Sequence, residues 1–264
     1  MSSLTLASFP LTIRPSIVVF LRQLLCWRSM WRQFLIMRLI EPAIFFYGLS
    51  LGFARIVPEL GGVDYKTFLL PGSIAMSMMF SSLIDGSYGA YTRIFMQRTW
   101  PSFLATPTRV WHIMVGEMVF TALRSLVSAF MLLLAGVLLG AKVSVLGFIL
   151  AIPLLMLLSM TLMAIGYVAS GLARNMNDFD FVWAFVLTPM MVFSGALNDL
   201  STFPEALQWV AQLFPLTHGV EALRGLMLGT IGLWAVLGHM LVIAVMGAVS
   251  VTIAHHLLQQ RLTD

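Results

Sequence analysis

The chain has 264 residues, 59% of them hydrophobic and only 10% charged, and its mean hydropathy is +0.94. A soluble domain is about 45–50% apolar and about 25% charged, and a chain of this length has too small an interior to hide the excess, so lipid must act as solvent for most of it. The net charge of +4 and pI near 9.6 do not point to nucleic acid, because the basic residues are scattered singly between apolar runs, a pattern that reports orientation in a membrane.

In chain order, Arg14, Arg22, Arg28 and Arg32 interrupt each early apolar stretch and no small-residue cleavage site follows. The N-terminus is therefore expected to stay on the mature protein. Residues about 15–33 read as a basic amphipathic helix in the membrane interface. Phe20, Leu24, Trp27 and Trp31 share one stripe, and Arg22, Ser29, Arg32 and Gln33 lie opposite, with the arginines near anionic lipid headgroups. A plain anchor and a contact with a cytoplasmic partner both fit this segment.

A bilayer core of roughly 30 Å needs about 20 apolar residues. Segments at about 34–56, 67–90, 112–139, 145–171, 179–197 and 231–256 meet that need. The expected fold is an all-α integral membrane protein of six spans, divided into an interface helix over 1–33 and a transmembrane domain over 34–264. With the N-terminus inside, Arg14, Arg22, Arg28, Arg32, Arg38, Arg93, Arg98, Arg109, Arg174 and Arg261 are cytoplasmic. Only Arg55, Lys66, Lys142 and Arg224 are outside. That bias places both termini in the cytoplasm.

Two connections are more than linkers. The stretch 91–111 mixes arginines with Phe95, Trp100 and Phe103, and Arg93, Gln97 and Trp100 are expected on one helical face suited to docking another protein. The stretch 198–230 is apolar yet broken by Pro204 and Pro215. Two short helices dipping into the outer leaflet fit it, since irregular backbone at that depth must be buried in protein or line a cavity.

No phosphate-binding loop and no nucleophile elbow is present. Cys26 has no companions for a metal site, and the adjacent His255 and His256 point different ways on a helix. No metal, cofactor or catalytic set is expected, so energy must come from a partner or an ion gradient. The intramembrane charges Asp85, Glu117 and Arg124 are costly unless paired. A buried cluster that fixes two helices and a proton relay both explain them. Glu41, Phe45 and Phe46 in the first span, Met76 and Met79 in the second, and Met190 and Phe193 in the fifth suit either an adaptable passage or plain packing.

Taken in order, Glu41-Pro42, Gly61-Gly62-Val63-Asp64-Tyr65, Phe68-Leu69-Leu70-Pro71-Gly72, Gln97-Arg98-Thr99-Trp100, Leu104-Ala105-Thr106-Pro107, Gly116-Glu117, Thr188-Pro189 and Phe193-Ser194-Gly195 precede Pro215-Leu216-Thr217-His218-Gly219-Val220-Glu221-Ala222-Leu223-Arg224. The chain resembles the permease of ABC-2 type exporters, and within them the branch of nodulation lipo-oligosaccharide exporters. Asn198-Asp199-Leu200 departs from the Phe-Pro more usual there. The resemblance implies a homodimer in a bacterial inner membrane, joined to two copies of an ATP-hydrolysing subunit that carries ATP and Mg. It implies coupling through the interface helix and through Arg93, Gln97, Arg98 and Trp100. The first, second and fifth helices would face the passage, and the short outer helices with His218, Glu221 and Arg224 would close it. A multidrug exporter permease and an ion-coupled transporter remain the alternatives. A lipid-linked or acylated oligosaccharide is the expected cargo, with Asn198, Asp199, His218 and Glu221 near the outer mouth either bonding its hydroxyls or capping short helices.

Overall fold

The structure, a computed structural model, describes residues 13–53, 59–60 and 62–263, and within these the side chains of 30, 32–43, 45, 49, 53 and 263 lie outside the described set. Helix α1 runs Arg14–Phe53. A small hairpin, β1 (Glu59–Leu60) and β2 (Val63–Asp64), pairs Glu59 with Asp64 and Leu60 with Val63. It leads into α2 (Tyr65–Ile84), which continues through π-turns at Asp85–Gly89 and Thr92–Met96. Then come α3 (Thr99–Leu104), α4 (Val110–Leu138), α5 (Val145–Leu150) and α6 (Ile152–Leu172). The chain ends with α7 (Phe179–Val182), a π-turn at Trp183–Leu187, α8 (Thr188–Phe193), α9 (Glu205–Ala211), α10 (Pro215–Leu228) and α11 (Leu233–Thr263).

Four helices among the described residues are long and apolar enough to cross a bilayer: Tyr65–Met96, Val110–Leu138, Ile152–Leu172 and Leu233–Leu262. Helix α6 lies among the other three. Small and hydroxyl residues let these helices approach closely, as expected where lipid offers no hydrophobic drive. A Cβ on Gly166 would come within 2.9 Å of the Gly86 Cα, so only glycine fits that crossing. Ser82 and Ser159 hydroxyls lie 2.7 Å apart, the Ser125 hydroxyl donates to that of Ser81 at 3.0 Å, and the Thr161 hydroxyl donates to the Ile243 carbonyl at 3.2 Å. Large apolar side chains such as Leu138, Leu146, Phe185, Trp234 and Leu241 are exposed, the surface a lipid-facing bundle presents.

Several boundaries differ from the sequence reading. The interface helix and first span are one unbroken helix, because Pro42 is the only breaker between Pro15 and Gly48. The apolar stripe also divides: Val19 and Phe20 pack on α4, Phe20 edge-on to Phe120 at 6.1 Å, while Leu24 and Trp31 are exposed. The second span reaches Met96, so part of the presumed loop is helix. The segment 145–171 breaks at Ala151, where Pro153 starts a new helix. The fifth segment is short: α7, its π-turn and α8 span about 22 Å at 1.5 Å per residue. Pro189 has no N–H to give the preceding turn, and the Trp183 carbonyl accepts from both the Thr188 amide and, at 2.9 Å, the Thr188 hydroxyl.

The two short helices expected in 198–230 are present as α9 and α10. Pro215 opens α10, where a missing N–H is harmless, and Gly229 with φ 69° closes it. Leu216, Thr217, Val220, Ala222 and Leu223 are fully buried against α2, α5, α6 and α11.

Candidate functional site

The sequence-predicted charges meet in one buried network. Arg124 Nη2 lies 2.9 Å from Asp85 Oδ2, to which the Thr121 hydroxyl also donates at 2.6 Å. Asp85 and Glu117 are bridged by Arg93, whose Nε lies 2.9 Å from Glu117 Oε1 and whose Nη1 lies 3.5 Å from Asp85 Oδ1. Glu117, only 1% exposed, also accepts from Gln23 of α1 at 2.9 Å, Trp100 of α3 at 3.3 Å and the Tyr167 hydroxyl of α6 at 3.1 Å. Every carboxylate is held against a guanidinium, the arrangement of a cross-brace between five helical elements.

Arg93 and Trp100 therefore do not share an outward face with Gln97, as the sequence reading expected. The π-turns rotate the chain after Asp85, so Arg93 turns inward, and Trp100 is fully buried against Tyr167, ring centroids 5.8 Å apart. Gln97 and Arg98 remain exposed. Arg98 alone among the described non-glycine residues has positive φ, 51°, at the corner between the second span and α3. A left-handed residue with a side chain is strained by roughly 1–2 kcal/mol, and such strain gathers at switch and contact segments. Beside the network opens a cleft of about 520 Å³ lined by Arg22, Gln23, Cys26, Asp85, Tyr88, Arg93 and Gln97. Charged and amide side chains share its walls with apolar surface that includes Ile84.

The residues that suited either a passage or plain packing are placed as follows. Phe46, Met76, Met79 and Met190 sit in a single core cluster and are at most 2% exposed, so within this chain they pack helices together. Phe193 is half-buried, its ring 5.8 Å from Phe203. Glu41 and Phe45 lie outside the described side chains. Tyr47 of α1 and Phe181, Trp183 and Phe185 of α7 and its π-turn are among the exposed aromatic side chains.

At the opposite end of the bundle, Arg224 of α10 stacks over Phe68 at 3.7 Å and donates to the carbonyls of Gly195 at 2.8 Å and Ala196 at 3.4 Å. Gly195 has φ 74°, so its carbonyl can turn toward that guanidinium. Asp199 caps the turn Leu200–Thr202 by accepting from the Ser201 amide at 3.1 Å, and the Thr217 hydroxyl donates to the Ala211 carbonyl at 2.6 Å. Of the four polar residues near this end, Asp199 thus has a local capping role. Asn198 is exposed. His218 and Glu221 face His239 of α11, a residue the sequence reading passed over. Tyr167 and Thr121 were also missed, although a hydroxyl inside an apolar helix is itself a signal of a polar partner.

Long apolar helices packed around a buried charge network are the architecture of an integral membrane protein. The sequence model of the ABC-2 type transporter family matches residues 16–228, and the chain belongs to that family. It is 32% identical to Nodulation protein J of Rhizobium leguminosarum bv. trifolii over 81% of each chain. It is 28% identical to Nodulation protein J of Sinorhizobium fredii over 93% of each, and 23% identical to the inner membrane transport permease YadH of Escherichia coli over 74% of this chain and 75% of that one.

Proposed function

We propose that this chain is the permease of an ATP-driven exporter that moves an amphipathic cargo, an acylated or lipid-linked oligosaccharide, out of the cytoplasm or the inner leaflet. The similarity to several Nodulation protein J chains over most of their length carries this reading. Two copies would work with two copies of a separate ABC ATPase in a bacterial inner membrane. Each copy would cross six times, through the four long helices, α1 and the bent α7–α8 unit, with α9 and α10 dipping into the outer leaflet. The passage would run between copies along Tyr47 of α1 and Phe181, Trp183 and Phe185, and the cleft beside Arg93, with Gln23, Asp85 and Gln97 in its walls, would admit the sugar head. The exposed, strained Arg98 would meet the ATPase.

The test is to purify the permease with its ATPase, reconstitute both in proteoliposomes, and offer acylated oligosaccharides and small hydrophobic drugs. Glycolipids are expected to stimulate ATP hydrolysis and to be transported. Stimulation by drugs alone would replace this reading with a multidrug exporter. In the same system Arg98→Glu is expected to lower transport about tenfold or more, the equivalent of ~1.4 kcal/mol, while the complex still hydrolyses ATP. Normal transport by that variant would make the corner a mere connector.

Orientation is a separate expectation. Arg22, Arg93, Arg98, Arg174 and Arg261 gather at one end of the bundle, with the Arg261 ring contact to Phe95 at 5.5 Å and the Tyr91 hydroxyl on the Arg174 carbonyl at 2.9 Å. Lys66, Lys142 and Arg224 belong to the other end, where the Lys142 amide donates to Thr67 at 3.0 Å. After Cys26→Ser, cysteines at Gly61 and Ser201 are expected to react with an impermeant thiol reagent in whole cells. A cysteine at Thr263 is expected to react only after lysis, and its labelling from outside would reverse the topology.

A further inference from the structure

His218 and Glu221 are three residues apart on α10 and so project to the same side of that helix. The side chain that meets them there is His239 of α11, 21 residues beyond His218. We propose that His218, Glu221 and His239 form a binding site for a zinc-class divalent metal ion that ties α10 to α11.

The geometry is that of a ligand set. One donor atom from each residue lies within 4.8 Å of the others. The two Nδ1 atoms are 3.2 Å apart, and His239 Nδ1 is 3.8 Å from Glu221 Oε2. A tetrahedral ion with bonds of about 2.0–2.1 Å to nitrogen keeps its ligand atoms about 3.3–3.4 Å apart. The histidines are therefore already at ligand spacing, and the carboxylate has to close by about 0.4 Å toward His239 and from within 4.8 Å toward His218. Two imidazoles and one carboxylate suit a borderline ion of the zinc class rather than magnesium or calcium.

The surroundings orient the ligands. His218 Nε2 lies 3.0 Å from the Gln212 carbonyl oxygen, which can only accept. The ring proton is thus on Nε2, and the Nδ1 lone pair faces His239 Nδ1. A ligating histidine characteristically gives its other N–H to a backbone carbonyl in this way. His218 is 8% exposed, whereas the side chains of His239 and Glu221 are 22% and 32% exposed, so an ion can reach the site from its rim. Three protein ligands leave one tetrahedral position for water or for an oxygen of a passing molecule. Without an ion, the same atoms form only a hydrogen bond between two histidines, and the two arrangements are separable.

The experiment uses the full chain, with its purification tag removed, in lipid nanodiscs. After chelator stripping, incubation with Zn²⁺ and dialysis, elemental analysis is expected to find about one zinc per chain. Co²⁺ in its place is expected to give the intense visible bands of a tetrahedral site. His239→Gln and His218→Gln are each expected to weaken zinc more than the roughly 10–100-fold that loss of an outer-shell partner produces. The double variant His255→Gln, His256→Gln is expected to bind as the native chain does. Zinc is also expected to raise the melting temperature of the native chain, a measurement that needs no variant. Substoichiometric zinc on the native chain, zinc retained in full by His239→Gln, or the weak bands of octahedral Co²⁺ would each overturn the site in favour of the hydrogen bond.

Discussion

Arg93→Ala is expected to destabilise the protein by about 3–5 kcal/mol, the usual result of removing one partner from a buried ion pair. Arg93 reaches both Glu117 and Asp85, and its side chain is only 13% exposed. Asp85 would keep Arg124 and Thr121, but Glu117 would keep only neutral donors from Gln23, Trp100 and Tyr167. The checks are the amount of protein in the membrane and its melting temperature in detergent. Arg124→Ala is expected to act in the same direction, with little change in the pH dependence of transport. The double change Arg93→Met, Glu117→Gln should recover part of the loss, because it removes both charges together. A stable Arg93→Ala protein with a shifted pH optimum would show a proton path instead of a brace.

Gly72→Val is expected to be nearly as damaging, for a steric reason. A Cβ at Gly72 would overlap the carbonyl oxygen of Ala196 and sit 2.9 Å from its Cα. That backbone cannot retreat, since Arg224 holds the carbonyls of Gly195 and Ala196 and is itself stacked on Phe68. Overpacking a rigid site costs about 1–3 kcal/mol, and contact with backbone puts this position at the upper end. Gly72→Ala should be milder but still destabilising. Gly238→Ala is the control: no heavy atom lies within 4 Å of the added carbon, and replacing a helical glycine there is expected to stabilise by roughly 0.5–1 kcal/mol. Thermal denaturation of the three variants in one detergent compares them, and equal melting temperatures would refute the steric argument.

The long apolar helices were legible because lipid imposes a length and a composition on any span. The two short helices α9 and α10 were legible from Pro204, Pro215 and the apolar run between them. Asp85, Glu117 and Arg124 stood out as charges in apolar surroundings. Arg93 did not, because it follows a span and precedes a proline-containing stretch, where an arginine looks ordinary. Its inward turn depends on π-turns that no helical wheel anticipates. The buried methionines show the opposite limit: composition alone cannot say whether Met76 lines a passage or fills a core, since the same flexible side chain serves both. His239 could not be paired with His218 from spacing, because only the packing of α11 on α10 brings them together.

The 40 residues of α1 make a rod about 60 Å long, close to twice the thickness of a bilayer's hydrocarbon core. Near its start, Ser16, Val19 and Gln23 grip α4 and the charge network, and toward its end Phe46 and Ser50 are buried in the core. Pro42 is the only proline past the first turn, so bending concentrates there. It divides the rod into arms of about 42 Å and about 17 Å. A change of about 10° at that joint swings the tip of the long arm by about 7 Å and the tip of the short arm by about 3 Å. A joint at Pro42 would uncouple the two ends: the basic arm could sweep while the arm buried in the core stays where it is packed.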